Sequence, residues 1–107
     1  MRRIRPENRR ASETFEVVHD QQIYSVSLGM LPDRCTGIEV FVSAQKTASM
    51  LEALARDGAI LMSFALQYGA GAAELAAAMS RGDKEEPSSL LGAVLDAVVQ
   101  RGANHAG

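Results

Sequence analysis

The sequence predicts an α+β fold: a three-stranded antiparallel β-meander followed by two to three helices packed on one face. Two observations carry this. Residues 14–42 alternate apolar and polar side chains with period two, broken only by short turn-forming segments. From about residue 50 the apolar residues recur every three or four positions, and Ala and Leu become frequent.

The first strand is expected from Thr14 to His19, with Phe15 and Val17 on one side. Asp20 and Gln21 then form a tight turn. From Gln22 to Met30, Tyr24, Val26, Leu28 and Met30 face one way, and Ser25 and Ser27 the other. Pro32, Asp33 and Gly37 mark the second turn. The third strand, Ile38 to Val42, presents Ile38, Val40 and Val42 on one face and Glu39 and Phe41 on the other. Connections this short favour antiparallel pairing. If the Ile38, Val40 and Val42 face meets the helices, Phe41 points away from them and needs a cover, from the N-terminal arm or from a second subunit. The reverse assignment of faces would put Phe41 inside. The first assignment makes Phe41 and Glu39 candidate interface residues and a homodimer the expected assembly.

Residues 43–49 form a polar connector, in which Thr47 or Ser49 can cap the following helix and Ser49 and Glu52 have capping-box spacing. The helix is expected from Met50 to Tyr68. Leu51, Leu54, Gly58, Leu61, Ala65 and Tyr68 form its core stripe, and a second half apolar nearly all round suggests burial on most sides. Glu52 and Arg56 make an i,i+4 pair on the exposed side, and Gly69 is a natural C-cap. A short Ala-rich helix over residues 72–80 carries Leu75 and Met79 four apart. Residues 81–89 read as a charged linker. A last helix over residues 88–100 aligns Leu91, Leu95 and Val98, flanked by Val94.

The 107 residues suit one domain, with 1–13 a basic arm, 14–101 the α+β body and 102–107 a disordered tail. With five aromatics and no Trp, aliphatic side chains and Ala must build the core. One cysteine excludes an internal disulfide and fits a reducing, cytoplasmic location. No apolar run approaches the ~20 residues of a membrane span, and the basic start has no apolar stretch behind it, so neither membrane insertion nor a secretory signal is expected. Residues 1–10 hold five Arg and one Glu, a balance of +4, while the other 97 residues sum to −6. Such a body repels nucleic acid; only the arm, through Arg2, Arg3, Arg5, Arg9 and Arg10, has the charge to contact it. The plainer reading of the arm is a solvated tail folded back on the acidic body.

Catalytic parts are few. His105 lies in the tail and His19 at the first turn, and nothing around Cys35 forms a reactive-cysteine motif. Asp33 and Glu39 can approach across the second turn, but they have no pocket in the pattern. No Cys or His pair has metal-ligand spacing, and there is no G-x-G-x-x-G or P-loop. No cofactor, no metal and no enzymatic activity are expected. The best ligand-site candidate is the connector. Lys46, Thr47 and Ser49 stand where a strand hands over to a helix N-terminus, a place that favours a phosphate or nucleotide. An ordinary cap with a solvated lysine is the alternative.

Three segments together resemble a known family: Glu39-Val40-Phe41-Val42, then Lys46 and Ser49, then Ser63-Phe64-Ala65-Leu66-Gln67-Tyr68-Gly69. They are similar to the TSCPD domain, found near the C-terminus of adenosylcobalamin-dependent ribonucleotide reductases and as short stand-alone proteins. The match covers residues 14–80. Asn8-Arg9-Arg10 and Leu91-Gly92-Ala93-Val94-Leu95-Asp96 resemble the ends of the stand-alone members. The namesake Thr-Ser-Cys-Pro-Asp string is absent, and Gln45-Lys46-Thr47-Ala48-Ser49 lacks both glycines of the family loop. What the resemblance implies is a non-catalytic accessory or regulatory interaction module that self-associates or binds a partner protein. A nucleotide or phosphate binder, and a nucleic-acid contact through the Arg arm, are the competing readings.

Overall fold

The computed structural model describes residues 3–4, 12–30, 37–44 and 49–106. Strands β1 (Ser12–His19), β2 (Gln22–Met30) and β3 (Gly37–Ala44) form an antiparallel sheet in the order β1-β2-β3. Helices α1 (Ser49–Gln67), α2 (Ala72–Ala78) and α3 (Leu90–Ala106) follow. The α+β meander-plus-helices architecture expected from the sequence is therefore present.

The first hairpin closes over Asp20 and Gln21, with His19 opposite Gln22. Both turn residues are left-handed, at φ 51° and 66°. A two-residue loop of this kind is a type I′ turn, whose twist matches that of the flanking strands. The pairing sets Phe15 against Val26 and Val17 against Tyr24, and on the other side Val26 against Val42 and Leu28 against Val40. All of these side chains are buried. Period-two alternation then forces Thr14, Ser25, Ser27 and Phe41 onto the opposite face, where Phe41 is 55% exposed. Most of that face is polar, as suits an antiparallel sheet covered on one side only.

The helices bury the inner face. α1 packs chiefly along β3, while α3 touches β1 and carries α2. One cluster joins the sheet residues to Ala55, Ala59, Met62 and Leu66 of α1, Ala76 of α2, and Leu90, Val94, Leu95 and Val98 of α3. Leu75 and Met79 pack against it, as their spacing suggested. At Gly58 α1 meets α3 with no room for a side chain: a Cβ there would lie 2.5 Å from a methyl of Leu91.

Three expectations need correcting. Of the expected α1 stripe, Leu51, Leu54, Leu61 and Tyr68 do not face the core, and Leu61 is 71% exposed, whereas Gly58 is buried. The buried face is the small-residue one, because Ala55, Ala59 and Ser63 let the helix backbone come close to β3. Nor is the second half of α1 buried all round, since Ile60, Phe64 and Tyr68 are exposed as well. Finally, α3 continues to Ala106 and so includes residues 102–106, expected from the sequence to be a disordered tail. Gly102 is not its terminator, for an interior Gly costs a helix only about 1 kcal/mol.

The ends and edges are closed by specific polar contacts. Gly69, at φ 107°, ends α1. Its N–H donates to the Leu66 carbonyl at 3.1 Å, and that of Ala70 to the Ala65 carbonyl at 2.9 Å, which is a Schellman cap. Ser63 sits against β3, an edge strand of the sheet. Its hydroxyl accepts from the Val40 N–H at 2.8 Å and has two carbonyls within reach of its own proton, Ala59 at 2.8 Å and Val40 at 3.2 Å. The outward-pointing backbone of β3 at Val40 is thus engaged by α1 and not open to another strand.

Candidate functional site

The outward face of α1 is the most unusual surface among the described residues. Met50, Leu54, Leu61, Phe64 and Tyr68 are all exposed, with Leu51 and Ile60 at their flanks. Together with Asp57 they recur at intervals of four, three, four, three and four residues. That is a 3.5-residue repeat, the a/d pattern by which one helix packs against another. Asp57, also exposed, is the one charge in the row. Isolated exposed apolar residues are ordinary, but a contiguous row of large ones marks a contact surface.

The row is displayed because the opposite side of α1 is occupied by β3 and α3. Ala55, Ala59, Met62, Ser63 and Leu66 turn inward, so the residues about half a turn away must turn outward. The Glu52–Arg56 pair foreseen from spacing is present at 3.4 Å, off the apolar row.

One end of the row is joined by the start of the chain. The Ile4 N–H donates to the Gln67 carbonyl at 2.7 Å, and Arg3 Nε donates to Gln67 Oε1. Gln67 is almost fully buried, which makes it a firm anchor. The Arg3 guanidinium lies 4.0 Å from the centre of the Phe64 ring, a cation–π contact, and Ile4 is itself exposed beside it. At this point the arm lies on α1 and does not extend into solvent. Arg2, Arg5, Arg9 and Arg10 lie outside the described residues.

The remaining candidates are distributed as follows. Phe41 is exposed as expected, but its cross-strand neighbour is Ser27, so it is a single aromatic in polar surroundings. Glu39 shares its face and is half-buried. Lys46, Thr47, Asp33 and Cys35 lie outside the described residues, and Ser49 is the first residue of α1. His19 is half-exposed at the end of β1. Among the described residues no three His, Cys, Asp or Glu side chains gather as a metal site would need, and no helix is long and apolar enough to cross a membrane.

A second polar cluster proves to be architectural. Arg81, read as part of a charged linker, forms a two-pronged pair with Asp96 of α3, at 2.6 and 3.0 Å. The same guanidinium donates to the carbonyls of Ala76 and Glu85, each at 3.0 Å. Both terminal nitrogens are spent on tying α2, the 81–87 loop and α3 together. The hydrogen bond from Arg81 holds the Asp96 carboxyl below the usual carboxylate range, and Asp96 in turn raises Arg81. The open depression beside this pair is lined by Ala73, Ala76, Ala77 and Val99 together with Arg81, Glu85, Asp96 and Gln100.

Sequence reasoning missed the α1 row because it assigned the largest apolar residues to the core. The signal that would have revealed it is the second stripe, Ala55, Ala59 and Ser63, at which only a closely approaching strand fits. The fold and this surface define an α+β domain in which, among the described residues, one helix face carries a row of exposed apolar side chains. Comparisons with protein-family models, curated proteins and solved structures found no match.

Proposed function

We propose that this chain is a non-catalytic interaction domain, akin to the accessory TSCPD module it resembles, and that it self-associates through the outward face of α1. The observation that carries the reading is the exposed 3.5-residue row from Met50 to Tyr68. A second copy of the chain is the occupant that this row fits, because a helix face with apolar residues at every layer but one is complementary to itself. Two features of the resemblance support the wider reading. Ser63 and Gly69, both in the segment similar to the family, serve the fold: one fastens α1 to β3 and the other caps the helix. Neither is placed for chemistry.

The test is light scattering on wild type, Leu61→Glu and Phe41→Ser over a micromolar concentration series. Wild type and Phe41→Ser should exceed one subunit, and Leu61→Glu should be monomeric with an unchanged circular dichroism spectrum. A wild type that stays monomeric, or a dimer lost on Phe41→Ser and kept on Leu61→Glu, contradicts the proposal.

A further inference from the structure

We infer that the two copies meet through antiparallel α1 helices, and that Arg3 of each subunit pairs with Asp57 of the partner subunit. The inference rests on the self-association reading above and adds the orientation and the residues that set it. The row has its midpoint at residue 59. An antiparallel pair centred there sets Met50 against the partner's Tyr68, Leu54 against the partner's Phe64, and Asp57 against the partner's Leu61. Every layer then joins an a position to a d position, and each aromatic meets an aliphatic chain. No other antiparallel register uses all six layers.

Charge decides between this arrangement and a parallel one. Parallel helices would put Asp57 directly against Asp57 of the partner subunit, two like charges in one desolvated layer. The antiparallel arrangement moves them apart by four residues along the axis, about 6 Å. It also brings each to a cation. Asp57 of the partner subunit stands level with Leu61, three residues or about 4.5 Å along the axis from Phe64. Arg3 lies over the Phe64 ring, held from the Gln67 side of the helix. Asp57 and Phe64 are both d positions, and d residues lean toward the flank that carries Ile60 and Gln67. In an antiparallel pair the two such flanks adjoin, so the guanidinium and the partner's carboxylate come to the same edge of the seam. The basic start and the acidic body are thereby complementary between subunits.

A polar group in such a seam sets orientation at some expense of affinity. Asp57 alone would weaken the contact; with Arg3 present it selects the antiparallel form. The experiment has two arms, both in a Cys35→Ser background. In the first, Met50→Cys and Tyr68→Cys proteins are mixed and oxidised, and both positions are exposed, so the fold tolerates the changes. The antiparallel arrangement gives a disulfide between the two variants and none within either alone. A disulfide of Met50→Cys with itself overturns the orientation while leaving self-association standing; a wild type without any dimer removes both. In the second arm, Asp57→Arg and Arg3→Asp should each weaken dimerisation about tenfold, and the double substitution should recover most of that loss. Single losses that simply add in the double variant overturn the Arg3–Asp57 pairing.

Discussion

Replacing Ser63 with Ala removes one oxygen atom, and its effect can be worked out from the contacts of that atom. Ser63 is buried, and its hydroxyl is the acceptor for the Val40 N–H. With Ala at 63, that N–H stays buried against the helix with no acceptor, a loss of about 1–3 kcal/mol. The better helix propensity of Ala offsets about 0.5 kcal/mol. The void is one atom wide, so cavity cost adds little. A net destabilisation of about 1–2 kcal/mol follows. With a urea dependence of about 1.5 kcal/mol per molar, the unfolding midpoint should fall by about 1 M. Native-state amide exchange at Val40 should accelerate together with it. Ser43→Ala, an exposed change on the same strand, is the control. A midpoint shift for Ser63→Ala no larger than that of the control would refute the claim that this hydroxyl closes the β3 edge.

The other predictions concern packing, the turn and pH. Leu95→Ala, at a site 2% exposed, should destabilise by about 2–5 kcal/mol, whereas Leu61→Ala should change the stability of the monomer by less than about 0.5 kcal/mol; urea unfolding at low protein concentration compares them. Gln21→Gly should raise stability by about 1 kcal/mol, since a left-handed residue of the type I′ turn is then relieved, and a lower thermal midpoint would contradict that geometry. The Asp96 carboxyl titrates lower in the folded chain than in the unfolded one. Its contribution is therefore present above the unfolded carboxylate pKa, about 3.9, and is lost as the pH falls through the lower folded value. Urea midpoints measured downward from pH 5 should fall less steeply for Asp96→Asn than for wild type; parallel curves would separate Asp96 from acid unfolding.

The sheet was legible in the sequence because period-two alternation leaves one solution. Tyr24, Val26 and Leu28 cannot face inward unless Ser25 and Ser27 face out, and Asp20-Gln21 is too short a link for anything but a hairpin. The face of α1 was not legible. Helical periodicity says which residues share a side, but the side that faces inward is decided by what packs there. Here a strand edge lies against the helix, and Ala55, Ala59 and Ser63 fit it while Leu54 and Leu61 do not. The docking of Arg3 and Ile4 on Gln67 also depends on a contact across 64 positions that no local pattern announces. Arg81 is similar: its partner Asp96 is 15 residues away, on another element. Of the candidate sites, Phe41 was placed on the correct face, but the more extended apolar surface had been counted as core.

The central claim is that the outward row of α1 is the contact surface of the domain. The most direct measurement is a dilution series by amide NMR, from about 1 mM to about 20 μM, the range in which a modest interface exchanges. The account predicts concentration-dependent shifts concentrated at Met50, Leu54, Asp57, Leu61, Phe64 and Tyr68, with Arg3 among them, and a quiet outer sheet face. Shifts gathered instead around Phe41 and Ser27, or an unchanged spectrum from a chain that tumbles as a monomer across the series, would contradict it.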